Sequence, residues 1–351
     1  MKFDEFLERY QRVEVEEHPN SVPVDPLVSI CVQTYQHAPF IRECLDGILM
    51  QDTDHSFEVL IGEDQSTDGT REICIEYARR YPDKIRLFLH HRDNNIRISG
   101  RPTGRFPHTY NLLSSKGKYL AICDGDDAWT DPKKLEKQVA VLEEQKGTAL
   151  CYHAFKTIDE KGEDLETTHL RNTRDFLPED LARGAHMHPS TILFRNVFSD
   201  VPESIFNVIN ADTFLIGLMS AHGSGKYCKD IDPSRRRIHK GGLWTANDKY
   251  VNLRHRENTF ENLKSSIDPR FRSAVEDTIF NIKIYTLLNR LSDRQFFRFA
   301  AGGLRVLFKN PFRSVRSLGK LKRLPQSIQM ISGRRPAARS RETAGSSGLD
   351  A

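Results

Sequence analysis

The stretch Tyr119-Leu120-Ala121-Ile122-Cys123-Asp124-Gly125-Asp126-Asp127-Ala128-Trp129 decides the fold, because an apolar run of strand type stops at three carboxylates within four residues. Like charges this close repel, and a chain keeps them at a strand end where a cation or a hydroxyl-rich ligand sits. Hard divalent ions such as Mg²⁺ and Mn²⁺ prefer such oxygens. An Asp-x-Asp after a strand is therefore a candidate site for a metal that holds a diphosphate. By itself the tripeptide also suits a solvated turn leading into a helix, whose first turn favours acids.

Upstream, Leu27 to Tyr35 has the pattern of a buried strand and Ala38 to Met50 that of a helix with Phe40, Ile41, Leu45, Ile48 and Leu49 as its apolar positions. A second buried strand, Phe57 to Gly62, ends in Glu63-Asp64-Gln65-Ser66-Thr67-Asp68-Gly69-Thr70, which opens a helix over Arg71 to Tyr81. Ile85 to His90 supplies a third strand and Tyr119 to Cys123 a fourth. Strand and helix alternating in this way predict a doubly wound, mostly parallel sheet with flanking helices, whose ligands bind beyond the carboxyl ends of the strands. Tyr35, Asp64 and Asp124 fall at those ends. Neither a Gly-x-Gly-x-x-Gly after the first strand nor a Gly-x-x-x-x-Gly-Lys-Ser/Thr occurs, so dinucleotide-cofactor and P-loop chemistry are unsupported.

Together, Thr34-Tyr35, the Glu63 to Thr70 turn, Lys116-Gly117-Lys118-Tyr119 leading into Asp124-Gly125-Asp126-Asp127, and Trp129 to Gln138 resemble the family 2 glycosyltransferases over roughly residues 25 to 245. The resemblance implies a GT-A fold and an inverting transfer from a nucleotide-sugar. Four positions depart from the family's usual pattern: Glu63 and Gln65 in Glu63-Asp64-Gln65-Ser66, which replaces Asp-Asp-Gly-Ser, Gln36, which replaces an Asn, and His108, which stands where an Arg is frequent.

The roles implied follow the chemistry of each side chain. Thr34, Tyr35, Asp64, Asp124 and Gly125 form the expected nucleotide-sugar site: Tyr35 offers an aromatic face to the base, Asp64 accepts from its imide N–H, and Asp124 accepts from ribose hydroxyls. Asp126 is the expected ligand of a Mn²⁺ or Mg²⁺ ion that stabilises the departing diphosphate as a Lewis acid. Asp127 is assigned to the acceptor side or the loop.

Further along, Asp212 opens an apolar helix, where an acid also serves as an ordinary helix-terminus group. The resemblance places the general base there, since an acceptor hydroxyl is a weak nucleophile until its proton is taken. Arg235-Arg236-Arg237-Ile238-His239-Lys240-Gly241-Gly242-Leu243-Trp244 resembles the family's closing segment, in which the His, here His239, completes the metal shell and basic residues approach the diphosphate. The stretch from His188 to Phe194 is expected to be a strand lining the acceptor side, and His186-Met187-His188 lacks the further ligands of a zinc site.

With 351 residues and 38% hydrophobic content, the chain is long enough for one α/β domain with an appendage. The expected organisation is a charged N-terminal extension (1–24), a catalytic domain (25–250, divided at 127/128 into nucleotide and acceptor halves), a helical basic region (251–331) and a disordered tail (332–351). Six scattered cysteines without a Cys-x-x-Cys, and no apolar run of membrane-spanning length, predict a reduced, cytoplasmic protein. The net charge of +4 hides an asymmetry, because residues 294–341 hold thirteen Lys or Arg and no Asp or Glu. Arg313, Arg316, Lys320 and Arg323 fall on one side of a helix expected from Asn310, with Phe312, Val315, Leu318 and Leu321 largely opposite. Such a helix suits an anionic membrane surface on the inner face, or packing on its own domain; nucleic acid is not the expected partner.

The leading expectation is a glycosyltransferase that joins a sugar to a glycan or glycolipid acceptor in cell-surface polysaccharide synthesis. A sugar-phosphate nucleotidyltransferase would carry a Gly-rich basic loop after the first strand, which Gln33-Thr34-Tyr35-Gln36-His37 is not. A non-catalytic nucleotide-sugar-binding scaffold would have no physical reason to hold Asp126, Asp212 and His239 together.

Overall fold

The computed structural model describes residues 1–98, 100–165, 173–242 and 247–293, with the side chains of 291 and 292 excepted. The chain runs α1 (Phe3–Tyr10), β1 (Glu16–Glu17), β2 (Val28–Thr34), α2 (Ile41–Leu49), β3 (Phe57–Glu63), α3 (Thr70–Arg80) and β4 (Ile85–Leu89). A two-strand ribbon, β5 (Arg97–Ile98) and β6 (Arg101–Pro102), precedes α4 (Arg105–Ser114), β7 (Tyr119–Ile122), α5 (Lys134–Glu144), β8 (Thr148–Tyr152) and β9 (Phe155–Ile158). Then follow α6 (Pro178–Ala182), β10 (Ile192–Arg195), α7 (Ala211–Leu218), β11 (Ser224–Tyr227), β12 (Ser234–Arg237), α8 (Lys249–Ser266) and α9 (Arg272–Ser292).

Eight strands form one sheet in the order β1-β4-β3-β2-β7-β10-β8-β11. Strands β4, β3, β2 and β7 are parallel, whereas β10 runs antiparallel to both of its neighbours. Strand order thus departs in two directions from β2, and the crevice between the ends of β2 and β7 is the topological switch point where ligands of such sheets bind. The period-2 alternation of β2 sorts its side chains: Val28, Ile30 and Val32 join the cluster under α2, α3 and α5, while Cys31 joins the cluster under α4, α7, α8 and α9. Gly117 shows why the Lys-Gly-Lys turn into β7 has no side chain at its centre, since a Cβ there would lie 2.5 Å from the Ser29 amide nitrogen.

The charged N-terminal residues pack against the sheet and its helices. Phe6 is fully buried, its ring centroid 4.9 Å from that of Phe106, and Glu16–Glu17 pairs with the edge strand β4. The helix expected from Ala38 begins at Ile41, because Phe40 and Ile41 donate their amides to the His37 carbonyl in a preceding turn. Pro189–Thr191 is a short 3-10 turn, which shortens the strand expected from His188 to β10. All six cysteines are free and buried. Among the described residues no helix is long and apolar enough to cross a membrane. The basic stretch 294–341, its expected helix at 310–323, the tail 332–351 and the segment Leu243-Trp244 lie outside the described residues.

Candidate active site

Three strand ends build the nucleotide side. β2 ends at Thr34, Tyr35 follows half-exposed (40%), and the chain turns through Gln36 in the left-handed region at φ 56°. β3 delivers Asp64, 2% exposed, whose Oδ2 accepts from Asn95 at 2.8 Å and from the Arg92 guanidinium. Asp64 Oδ1 is buried without a hydrogen-bond partner. A buried acceptor left open costs about 1–3 kcal/mol unless a ligand donor fills it, and a base imide N–H has the required chemistry. Burial pushes the Asp64 carboxyl up to about 6, although Arg92 pulls it down. The Arg92 guanidinium also lies 4.0 Å from the Tyr35 ring centroid, a cation–π contact that makes Tyr35, Asp64 and Arg92 one unit.

The departures from the family pattern have local causes. Glu63 is fully buried and accepts from the amides of Ser66 (2.6 Å) and Gln65 (3.2 Å) and from Arg71, so it closes its own turn and does not face the pocket. Gln65 adopts φ 57°, the conformation for which the family's Gly is suited, and its Oε1 accepts from the Arg92 amide at 2.8 Å. Gln36 clasps the same loop, accepting from Thr67 N at 3.1 Å and donating to Thr67 Oγ1 at 3.0 Å.

Beyond β7 the acids separate by environment. Burial pushes Asp124 up to about 7, with Asp126 and Asp212 adding to the rise and Arg105 opposing it. Burial acts on Asp126 in the same sense, yet the imidazoles of His239 and His37 outweigh it and hold that carboxyl below its ordinary range. His239 Nε2 lies 3.1 Å from Asp126 Oδ2. His37, Asp126 and His239 offer ligand atoms within 4.8 Å of one another, a donor set that fits a divalent ion. Burial lowers the His37 pKa, which keeps its imidazole in the neutral form that ligates. Asp127 accepts from the Arg237 amide at 3.1 Å, a loop-holding contact. Gly125 is bounded by Thr34 and His37 and leaves no room for a Cβ, so Thr34 and Gly125 meet as packing partners.

His239 arrives through β12, which pairs with β9 and bridges to Ala128. Alternation puts Arg235 and Arg237 on one side, both ion-paired with Glu43 of α2. Arg236 takes the other side, near enough to His188 to lower its pKa after burial has done so, and among the described residues it pairs with no carboxylate. His188 Nδ1 contacts Ser190 Oγ at 2.8 Å, and neither it nor His186 enters a metal cluster among the described residues.

Asp212 lies in the first turn of α7, where burial raises its pKa while the Thr213 amide, Arg105 and Arg256 lower it. Arg105 was not foreseen; it opens α4 one turn before His108, is buried, and donates to the carbonyls of Val208 and Ile209 at 3.0 Å each. The residue acts electrostatically on both Asp124 and Asp212, a buried cation one helical turn from His108, which stands where the family often has an Arg. His37 and Arg92 were also missed, since each follows a strand in a loop with no periodicity to mark it.

The Glycosyl transferase family 2 profile matches residues 29–201. The uncharacterized protein Rv1520 of Mycobacterium tuberculosis is 34% identical over 220 residues, covering 62% of this chain and 60% of that protein. The putative teichuronic acid biosynthesis glycosyltransferase TuaG of Bacillus subtilis is 31% identical over 141 residues, 40% of this chain and 51% of its own length. This chain therefore spans about 60% or less of the length of these curated relatives. Among solved structures, the mannosyltransferase PcManGT of Pyrobaculum calidifontis, in complex with GDP-Man and Mn²⁺, superposes with a TM-score of 0.51 at 16% identity, over 93% of this chain and 88% of that one. With a mostly parallel sheet of GT-A architecture and a family match spanning both the Asp64 and the Asp124–Asp126 strand ends, residues 29–201 of the chain form a domain of glycosyltransferase family 2.

Proposed function

We propose that this chain transfers a sugar from a nucleotide-sugar to a hydroxyl acceptor, with inversion, in cell-surface polysaccharide synthesis. The observation that carries the reading is the convergence, beyond β2, β3 and β7, of an open buried acceptor on Asp64, the Asp126–His239 pair, and Asp212. Tyr35 and Asp64 hold the base, and Asp124 accepts from the ribose. Asp126 and His239 hold a divalent ion, which when bound neutralises charge on the leaving diphosphate. Arg236, which lies near His188, adds a cation for the phosphates. Asp212 takes the proton of the acceptor hydroxyl as that oxygen attacks, and attack opposite the leaving group inverts the anomeric carbon. Its pKa, raised by burial, moves it towards the working range of a base near neutrality. The name of TuaG supports a polysaccharide setting, and the bound ligands of PcManGT support a nucleotide-sugar with a divalent ion.

The test is calorimetry of a panel of nucleoside diphosphates with and without Mn²⁺. We expect one base to bind with metal dependence, and Asp126→Ala to abolish that dependence while circular dichroism shows an intact fold. Equal, metal-independent affinities in both proteins would overturn the reading.

A further inference from the structure

We propose that His37 is a third protein ligand of the metal, completing with Asp126 and His239 a two-imidazole, one-carboxylate face that favours first-row transition ions such as Mn²⁺ over Mg²⁺. The inference rests on the metal reading above and goes beyond it in ligand number and in metal preference. Its ground is positional. The three ligand atoms lie within 4.8 Å of one another, slightly more than twice a metal–ligand bond of ~2.1 Å, so a small inward movement brings all three onto one ion. The rings of His37 and His239 meet edge to face, with centroids 5.7 Å apart at 83°.

His37 is held in place by its backbone. Its amide donates to Thr70 Oγ1 at 2.8 Å, and its carbonyl accepts from Phe40 and Ile41 at 2.8 Å each. Nδ1 lies 3.3 Å from Thr34 Oγ1, which occupies one ring nitrogen and leaves Nε2 to an ion, the kind of outer contact that orients a ligating histidine. The glycine of Asp124-Gly125-Asp126 has the same cause: a Cβ at Gly125 would lie 2.7 Å from Thr34 Oγ1 and 3.0 Å from His37 Nδ1. The acidic tripeptide thus leaves at its centre the space that Thr34 and His37 fill.

Ligand chemistry then sets the preference. Mg²⁺ takes oxygen ligands and retains its waters, whereas imidazole suits the first-row transition ions. Two imidazoles and one carboxylate would hold such an ion, which when bound would supply positive charge to a diphosphate.

The test loads the full chain with Mn²⁺ alone and counts nitrogen couplings by electron spin echo envelope modulation. Two imidazole nitrogens in the wild type support the proposal, and a single nitrogen overturns it while leaving Asp126 and His239 as ligands. If Mn²⁺ does not bind, alone or with a nucleoside diphosphate, the metal reading falls and His37 with it. In calorimetry, Mn²⁺ should bind at least ~10-fold more tightly than Mg²⁺, and His37→Gln should lower Mn²⁺ affinity at least ~10-fold, narrow that ratio and leave one nitrogen. A His37→Gln protein that melts as the wild type does and keeps both the ratio and two nitrogens would overturn it independently.

Discussion

The two rims of the crevice are built differently. On the donor rim, loops after β2, β3 and β4 bind one another through short local contacts, Gln36 to Ser66 and Thr67, Asp68 to Ala38 at 3.0 Å, and Gln65 to Arg92, around the open acceptor on Asp64. The acceptor rim joins α4, α7 and α8 over long sequence separations, and it leaves buried polar atoms open: Nε of Arg105, Nε of Arg256 and Oδ1 of Asn210. Each such group costs about 1–3 kcal/mol until a partner arrives. One rim is therefore tied together by loops close in sequence, and the other by buried polar groups from three helices far apart in sequence.

The sharpest way to break this contrast is Asp212→Asn. Turnover should fall by at least ~10² while nucleoside diphosphate affinity stays within a few-fold, because only proton removal is lost. Wild-type turnover would make Asp212 a helix-terminus acid and place the base elsewhere. Asp64→Ala should do the reverse, weakening the nucleoside diphosphate by ~10-fold or more through loss of a charged acceptor, with metal dependence intact in calorimetry.

Titration sharpens the donor side further. The Asp64 carboxyl, raised to about 6 by burial, makes the folded state prefer the protonated form. Its contribution to stability is full below the ordinary value near 3.8 and is lost as pH climbs through about 6. Asp64→Asn removes that loss, so the melting temperature of the variant relative to wild type should rise by a few degrees between pH 4.5 and 7.5. A flat difference would mean that Arg92 offsets the buried charge completely.

The smallest effect is at Gln65. Gly relieves a left-handed residue, worth ~1 kcal/mol, and removes the bond to Arg92, worth about as much, so Gln65→Gly should be near neutral in urea unfolding. Gln65→Ala keeps the strain and loses the bond, and should cost ~1 kcal/mol more than Gln65→Gly.

The same contrast explains what the sequence disclosed. Asp64, Asp124 and Asp126 were legible because each follows an apolar strand whose carboxyl end has a fixed place in a doubly wound sheet. Arg105 was not, because its place depends on how α4 packs against the Val208–Ile209 carbonyls, and the family pattern pointed one helical turn away, to His108. His37 escaped because side chains gathered from the ends of different strands share no spacing. The N-terminal helix was masked by its charges, although Phe3, Phe6 and Tyr10 dock it on aromatic partners.

Glu43 gives these distances a meaning in time. It sits on α2, yet its carboxylate fastens both Arg235 and Arg237, and the chain reaches His239 two residues later. During synthesis the strands that carry Asp64 and Asp126 emerge early and can pair as they appear, while the histidine that closes on Asp126 must wait for almost twice that length of chain. A nascent protein halted after β7 would already hold Tyr35, Asp64 and Arg92 and would still lack His239, so the pairing of Asp126 with its histidine waits until the second half has docked.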